Sequence, residues 1–300
     1  MDAARALSDG RLVILPTETV YGLAADAANP AAVAALYAAK GRPSFNPLIA
    51  HVEGLGDAEA LAELDARATA LADAFWPGPL TIVAPARAGS AVCDLARAGL
   101  DTLAVRAPAH PIARALLAAF KGPIVAPSAN RSGRPSPTTF ADAMAETGAA
   151  AALGLDGGAC AIGLESTVVS LLDGPPRLLR PGAVTRAAIE SLIGPLAEAE
   201  ADARRSPGRL TRHYAPQASL RLGAAHARPG EVLLGFGPGH PEAFNLSQAG
   251  DLGEAAARLF SLLRAADAQR PAAIAVAPIP EEGLGEAIND RLRRAAGLVG

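Results

Sequence analysis

The sequence predicts an α/β protein in two parts: a larger unit built on a twisted mixed sheet, then a small βαβα unit. Short apolar runs recur between longer amphipathic stretches, which marks strands and helices around a common sheet. The two do not alternate strictly, so a regular parallel sheet is not expected. After a polar run near residue 200 the pattern restarts as strand, helix, strand, helix. At 300 residues the chain has length for about two domains.

Residues 2–9 read as a short helix, and L-V-I-L (12–15), stopped by Pro16, as a buried strand. Asn29-Pro30 starts a helix with Val33, Leu36 and Tyr37 at helical spacing, ending at Gly41. Residues 48–52 form a strand. Residues 55–75 are largely helical until Trp76-Pro77-Gly78-Pro79 breaks the pattern. Strands follow at 80–84, 103–106 and 124–126, with a helix over 111–120. Thr138 or Thr139 caps a helix running to about Glu146. Residues 167–172 and 177–180 make a hairpin across Asp173-Gly174-Pro175-Pro176. Beyond the polar run, strands at 231–235 and 272–277 alternate with helices at 252–266 and 284–296, a small Rossmann-like unit.

Half of the residues are hydrophobic, enough to fill a core. The net charge is −3, which argues against bulk electrostatic binding of nucleic acid or anionic membrane but leaves room for a local basic pocket. Cys93 and Cys160 are the only cysteines and fit no metal spacing, in keeping with a cytoplasmic protein. The opening M-D-A-A-R-A-L-S-D-G-R lacks an apolar core, so no signal peptide is expected. No uncharged stretch is long enough for a membrane span. Only Lys40 and Lys121 are lysines among 27 cations, so a lysine is informative here and a surface arginine is not.

Five clusters place polar side chains just past apolar strands, where open α/β sheets put their ligand sites. They are P-T-E-T-V-Y-G-L (16–23), K-G-R-P-S-F-N-P-L-I-A-H (40–51), T-L-A-V-R-A-P (102–108), P-S-A-N-R-S-G-R-P-S-P-T (127–138), and E-S-T-V-V-S-L (165–171) with L-R-P-G (179–182). Lys40 and Arg42, in a loop stiffened by Pro43 and Pro47, suit a polyphosphate. They equally suit a solvated loop at a helix C-terminus. Ser128, Asn130, Ser132 and Ser136 suit phosphate or an ordinary turn. Arg106 is either a buried carboxylate partner or a strand-end charge. His51 alone reads more naturally as structural than catalytic. Glu165 reads as a strand-edge charge, and Thr17-Glu18-Thr19 also fits a helix N-cap. P-loop, nucleophile-elbow, dinucleotide and metalloprotease signatures are absent from the sequence.

Together these clusters resemble the threonylcarbamoyl-AMP synthase family, whose catalytic part is a YrdC-like domain. W-P-G-P-L-T (76–81) adds a further motif, and S-P-G-R-L-T-R-H-Y-A-P (206–216) resembles the linker of the two-domain members. The resemblance implies a YrdC-like domain at 1–195, a linker or lid at 196–219, and the Rossmann-like domain at 220–300, which is short for that family. It implies a nucleotidyltransferase reaction: L-threonine, bicarbonate and ATP give threonylcarbamoyl-AMP and pyrophosphate. Thr19, His51, Arg106, Ala126 and Ser166 would hold threonine. Lys40, Arg42, Asn46, Thr102, Ser128, Ser136, Arg180 and Tyr214 would hold ATP, with Asn130 in a lesser role and Arg209, Arg212 and His213 near the phosphates. Mg²⁺ is expected with the nucleotide, without assignable protein ligands. The product would pass to a tRNA threonylcarbamoyl transferase complex. Membrane association and direct tRNA binding are not expected. Two other readings are an RNA-binding surface, which the sparse aromatics disfavour, and the carbamoyl transfer of hydrogenase maturation, which the missing zinc-type cysteines disfavour.

Overall fold

Residues 2–172, 174–198, 213–240 and 242–298 are described by a computed structural model. The larger part runs α1 (Asp2–Ser8), β1 (Leu12–Leu15), β2 (Gly22–Asp26), α2 (Pro30–Lys40), β3 (Ile49–His51), α3 (Leu55–Leu61), α4 (Ala66–Phe75) and β4 (Leu80–Pro85). It continues through β5 (Thr102–Arg106), α5 (Pro111–Phe120), β6 (Ile124–Val125), α6 (Phe140–Thr147), β7 (Ala151–Gly154), β8 (Thr167–Ser170), β9 (Arg177–Arg180), α7 (Arg186–Ile193) and β10 (Ala197–Glu198). The smaller part has β11 (Ser219–Arg221), β12 (Glu231–Leu234), α8 (Leu252–Ala268), β13 (Ala273–Val276) and α9 (Leu284–Ala295).

The larger part forms a ten-stranded sheet in the order β10-β9-β8-β4-β5-β3-β6-β2-β1-β7. It is mixed, as expected: β3 runs parallel to β5, and β4 parallel to β8, while β4 and β5 are antiparallel. The smaller part is a parallel three-stranded sheet, β11-β13-β12.

Local chemistry explains the boundaries. Asn29 caps α2 through its side chain, Pro30 fills the first turn, and Gly41 ends it at φ 57°. The stretch 55–75 is two helices, because Ala62 is extended and Asp65 restarts the chain as an N-cap for Ala68 N. Of Thr138 and Thr139, it is Thr139 that caps α6. No helix follows Thr17. Its hydroxyl instead bonds Val20 O at 2.6 Å and folds the loop before β2. Strands β2, β7, β10 and β11 and helix α7 have no counterpart in the sequence pattern.

The large core packs one face of the sheet against α2, α3 and α4, and on the other face Val13, Leu15, Ala24 and Ile124 pack against α1 and α5. The small part has its own core on α8 and α9, which also takes in Val20, Leu164 and Tyr214. Ion pairs join the parts at Arg264–Glu146 (2.9 Å) and Arg186–Glu286 (3.0 Å). Phe260 of α8 is fully buried, 5.4 Å from the Tyr214 ring. Phe260→Ala is expected to cost about 3–5 kcal/mol, read as a lower denaturant midpoint.

Candidate active site

Strand ends and loops of the larger part meet in one pocket, covered by His213 and Tyr214. At one side lies Arg106, the last residue of β5 and only 4% exposed. Its Nε donates to Gly78 O at 3.1 Å, Nη1 to Thr19 Oγ1 at 3.0 Å and Nη2 to Glu18 Oε1 at 2.5 Å. Glu18 also accepts from Ala109 N at 3.1 Å. Burial alone would raise the Glu18 pKa, but Arg106 and these bonds hold the carboxyl below its ordinary value. A guanidinium has more N–H groups than these three bonds use, so Arg106 can still grip a substrate carboxylate.

His51 lies opposite Arg106 in the β3–β5 register, with Nδ1 3.2 Å from Ile49 O. Burial, then the Arg106 charge, push its pKa down to about 3. The imidazole is therefore neutral near pH 7 and can hydrogen-bond a ligand without carrying charge. Ser166 Oγ lies 2.7 Å from Thr81 Oγ1 and accepts from Arg180 Nη2 at 3.1 Å, while Ser166 O accepts from Arg180 Nε at 3.0 Å. The L-R-P-G turn needs its glycine for close approach. A Cβ on Gly182 would stand 2.5 Å from Thr167 N and 2.8 Å from Glu165 O.

The other side is cationic. Lys40 ends α2, and its buried Nζ donates to Ser128 O and Asn130 O, tying the helix to the serine loop. Burial, and secondarily Arg42, push the Lys40 pKa down to about 7. Arg42 Nε donates to Asn46 O at 3.3 Å and Nη2 to Pro47 O at 3.1 Å, and burial lowers its pKa to about 10. Among the described residues, Lys40, Arg42 and Arg180 have no carboxylate within ion-pair distance. Ser136 Oγ donates to Glu165 Oε1. The serine loop is laced to the P-T-E-T-V-Y-G loop through Ala129 N to Tyr21 O (2.7 Å) and Leu23 N to Pro127 O (2.8 Å).

His213 is held well below its ordinary pKa, first by burial and then by the charges of Arg42, Lys40, Arg180 and Arg291. Its ring meets Tyr214 edge-on at 3.9 Å. Tyr214 adopts φ 63°, a left-handed conformation that costs a non-glycine residue about 1–3 kcal/mol and marks functional segments. His213 Nδ1, Tyr214 OH and Asn130 Oδ1 are buried without hydrogen-bond partners among the described residues.

Of the predicted site residues, Thr19, Arg42, His51, Arg106, Ala126, Ser128, Ser166, Arg180 and Tyr214 line the pocket. Lys40, Asn46 and Ser136 sit directly behind it, bonded to or beside lining residues. Thr102 differs: it begins β5, opposite Pro85, at the far end of the strand from Arg106. Arg209 and Arg212 lie outside the described residues. Glu18, Thr81 and Arg291 contribute to the site as well; Glu18 and Thr81 fall inside quoted motifs without a role assigned there, and the parts played by Glu18 and Arg291 are seen only through their buried ion pairs.

Fold and pocket together define a two-part α/β protein with a cationic pocket beside an arginine–threonine pair. A family model for Sua5, YciO and YrdC proteins, described as telomere recombination, matches residues 5–182. A second, described as the C-terminal domain of threonylcarbamoyl-AMP synthase, matches 184–297. The threonylcarbamoyl-AMP synthase of Pyrococcus abyssi is 40% identical over 98% of this chain and 93% of its own. That of Bacillus subtilis is 39% identical over 98% and 92%. The crystal structure of P. abyssi Sua5 complexed with L-threonine superposes with a TM-score of 0.91 at 38% identity, over 99% of this chain and 94% of that one. The chain belongs to the Sua5/YciO/YrdC family, in the two-part form of the threonylcarbamoyl-AMP synthases. HypF in its phosphate- and nucleotide-bound form shares only the fold, at 22% identity and a TM-score of 0.51 over 59% of this chain.

Proposed function

We propose that this protein makes threonylcarbamoyl-AMP from L-threonine, bicarbonate and ATP and releases pyrophosphate, a nucleotidyl transfer serving tRNA threonylcarbamoyladenosine. The observation that carries the reading is the pocket's charge. Lys40 and Arg180 are buried and Arg42 is half-buried near His213, without ion-pair partners among the described residues. Burying unpaired cations costs several kcal/mol unless an anion joins them, and a triphosphate is such an anion. The Arg106–Thr19 pair on the other side suits an amino-acid carboxylate and hydroxyl.

In this reading Thr19, His51, Arg106 and Ser166, with the backbone of Ala126, orient threonine. Its neutral amine attacks the bicarbonate carbon, a C–O bond breaks and water leaves, which gives an N-carboxylate. One carboxylate oxygen attacks the α-phosphorus as the bond to pyrophosphate breaks. The protein supplies alignment and charge: Lys40, Arg42 and Arg180 stabilise the phosphates as negative charge moves onto the leaving pyrophosphate. Asn46, Ser128 and Ser136 orient the nucleotide. A nucleotide contact for Thr102 would need a ligand reaching past the lining residues. Among the described residues no three His, Cys, Asp or Glu side chains group to hold a metal. Mg²⁺ would arrive on the ATP phosphates with water as its remaining ligands. The cover at 213–214 shields a labile acyl adenylate from water. No described helix is long and apolar enough to cross a membrane. We propose a cytoplasmic protein whose product passes to a tRNA transferase complex.

The test is pyrophosphate release from ATP with threonine and bicarbonate omitted in turn. Release that requires both supports the reading, and release indifferent to threonine removes it. Tyr214→Ala is expected to lower kcat/KM for ATP about tenfold or more, the scale of a lost aromatic contact to a nucleotide. Unchanged kinetics would remove the role of the cover.

A further inference from the structure

Taking the pocket to bind ATP as above, we infer that Arg291, on the last helix of the smaller part, is a positioning residue of the nucleotide site. It holds Ser136 through Glu165, the Arg180 turn through Pro181, and the aromatic cover through Tyr214.

Arg291 is fully buried, an uncommon state for arginine. Each of its nitrogens serves a different partner. Nε donates to Glu165 Oε2 at 2.8 Å, and the other Glu165 oxygen accepts from Ser136 Oγ. Nη2 donates to Pro181 O at 3.0 Å, one residue after Arg180. Nη1 donates to Asp290 Oδ2 at 2.6 Å, and Arg294 Nε holds Asp290 Oδ1 at 3.0 Å, which aims the guanidinium. Its central carbon lies 5.3 Å from the Tyr214 ring centroid, within cation–π range.

Two physical consequences separate this arrangement from simple adhesion between the parts. Adhesion is already supplied by Arg264–Glu146 and Arg186–Glu286, and none of those four residues lines the pocket. Glu165 and Tyr214 do line it. Glu165 is also a carboxylate in a pocket meant for phosphates. Paired with Arg291 it can accept from Ser136 without repelling the ligand; bare, it would oppose binding. The smaller part thus completes the nucleotide site, and a lysine, with one nitrogen, cannot replace a planar fork that reaches three partners.

The experiment compares Arg291→Lys, the double variant Glu165→Gln/Arg291→Met, and Arg186→Met as a control for adhesion. Melting temperature, KM for ATP, KM for threonine, kcat and calorimetric ATP affinity are measured for each. We expect Arg291→Lys to stay folded, with KM for ATP raised about tenfold or more and KM for threonine raised less, since Arg106 and Thr19 do not touch Arg291 and Ser166 feels it only through Arg180 and Glu165. The double variant removes both buried charges, so it should fold, yet ATP binding should stay weak because the Arg180 turn and Tyr214 have lost their support. Arg186→Met should lower the melting temperature and leave KM for ATP unchanged, since its partners Glu198 and Glu286 lie outside the pocket. Wild-type ATP affinity in Arg291→Lys or in the double variant overturns the inference. So does failure of both to fold, which would make Arg291 purely structural. Absence of threonine-dependent pyrophosphate release from the wild type would instead count against the synthase reading, and the calorimetric ATP affinities would still decide the role of Arg291.

Discussion

Arg106→Ala is expected to lower kcat/KM for threonine by about 10²- to 10³-fold, the scale of losing a preorganised charged contact in a closed site. The side chain is the buried cation bonded to Thr19, and its bonds to Gly78 O, Thr19 and Glu18 fix its direction. The same change strands Glu18, whose side chain is 12% exposed. Breaking one partner from a buried pair costs about 3–5 kcal/mol, so stability falls as well. The two losses separate in Glu18→Gln/Arg106→Ala. With no bare carboxylate left, the melting temperature should return toward wild type, while threonine turnover stays lost. Recovery of turnover in the double variant would show that Arg106 only neutralises Glu18. The sign with pH follows from the depressed Glu18 pKa. The stabilisation is present above the unfolded value of 4.5 and is lost as pH falls through the lower folded value.

What the sequence made legible depended on side-chain bulk. Strands β1, β4, β8 and β9 are rich in Val, Ile and Leu and end in Pro or in a turn, so their pattern reads directly. Strand β2 is G-L-A-A-D and β7 is A-A-L-G. Alanine and glycine fit helix, strand or loop equally at this level, and it is pairing with β1 that makes both into strands. Strand β2 begins at Gly22, inside P-T-E-T-V-Y-G-L, so its absence from the pattern left that motif without a visible support. The pocket residues themselves were legible because each follows an apolar strand or a helix end. Arg291 was not: it meets Glu165 from 126 positions away, in a chain where arginine is too common to stand out. Glu165 looked like an edge charge and Glu18 like part of a helix N-cap for the same reason, since only three-dimensional pairing distinguishes a buried carboxylate from a solvated one.

Lys40 carries the largest effect on the nucleotide side, and its signature is a dependence on pH. In the free protein, burial and Arg42 bring its pKa to about 7, against 10.5 for an ordinary lysine. Bound phosphates favour the ammonium, so the pKa rises in the complex, and binding above pH 7 takes up a proton. Each pH unit above that value should weaken ATP binding by close to tenfold while the complex stays protonated. The neighbouring groups do not confuse the window between about pH 7.5 and 9. His213 is held neutral by burial, Tyr214 is raised above its ordinary value, and Arg42 titrates only near 10. Calorimetry of ATP binding in buffers of different ionisation enthalpy reads the proton uptake directly. Lys40→Met should flatten the pH dependence and cut kcat/KM for ATP by about 10²-fold, because it removes both the charge and the tie to Ser128 O and Asn130 O. The free protein should also gain stability as pH rises from about 7 toward 10.5, since the unfolded chain keeps a proton that the folded lysine has released. An ATP affinity independent of pH across this window would mean that Lys40 is already an ammonium in the free protein, held by its two carbonyls, and serves as structure before it serves as charge.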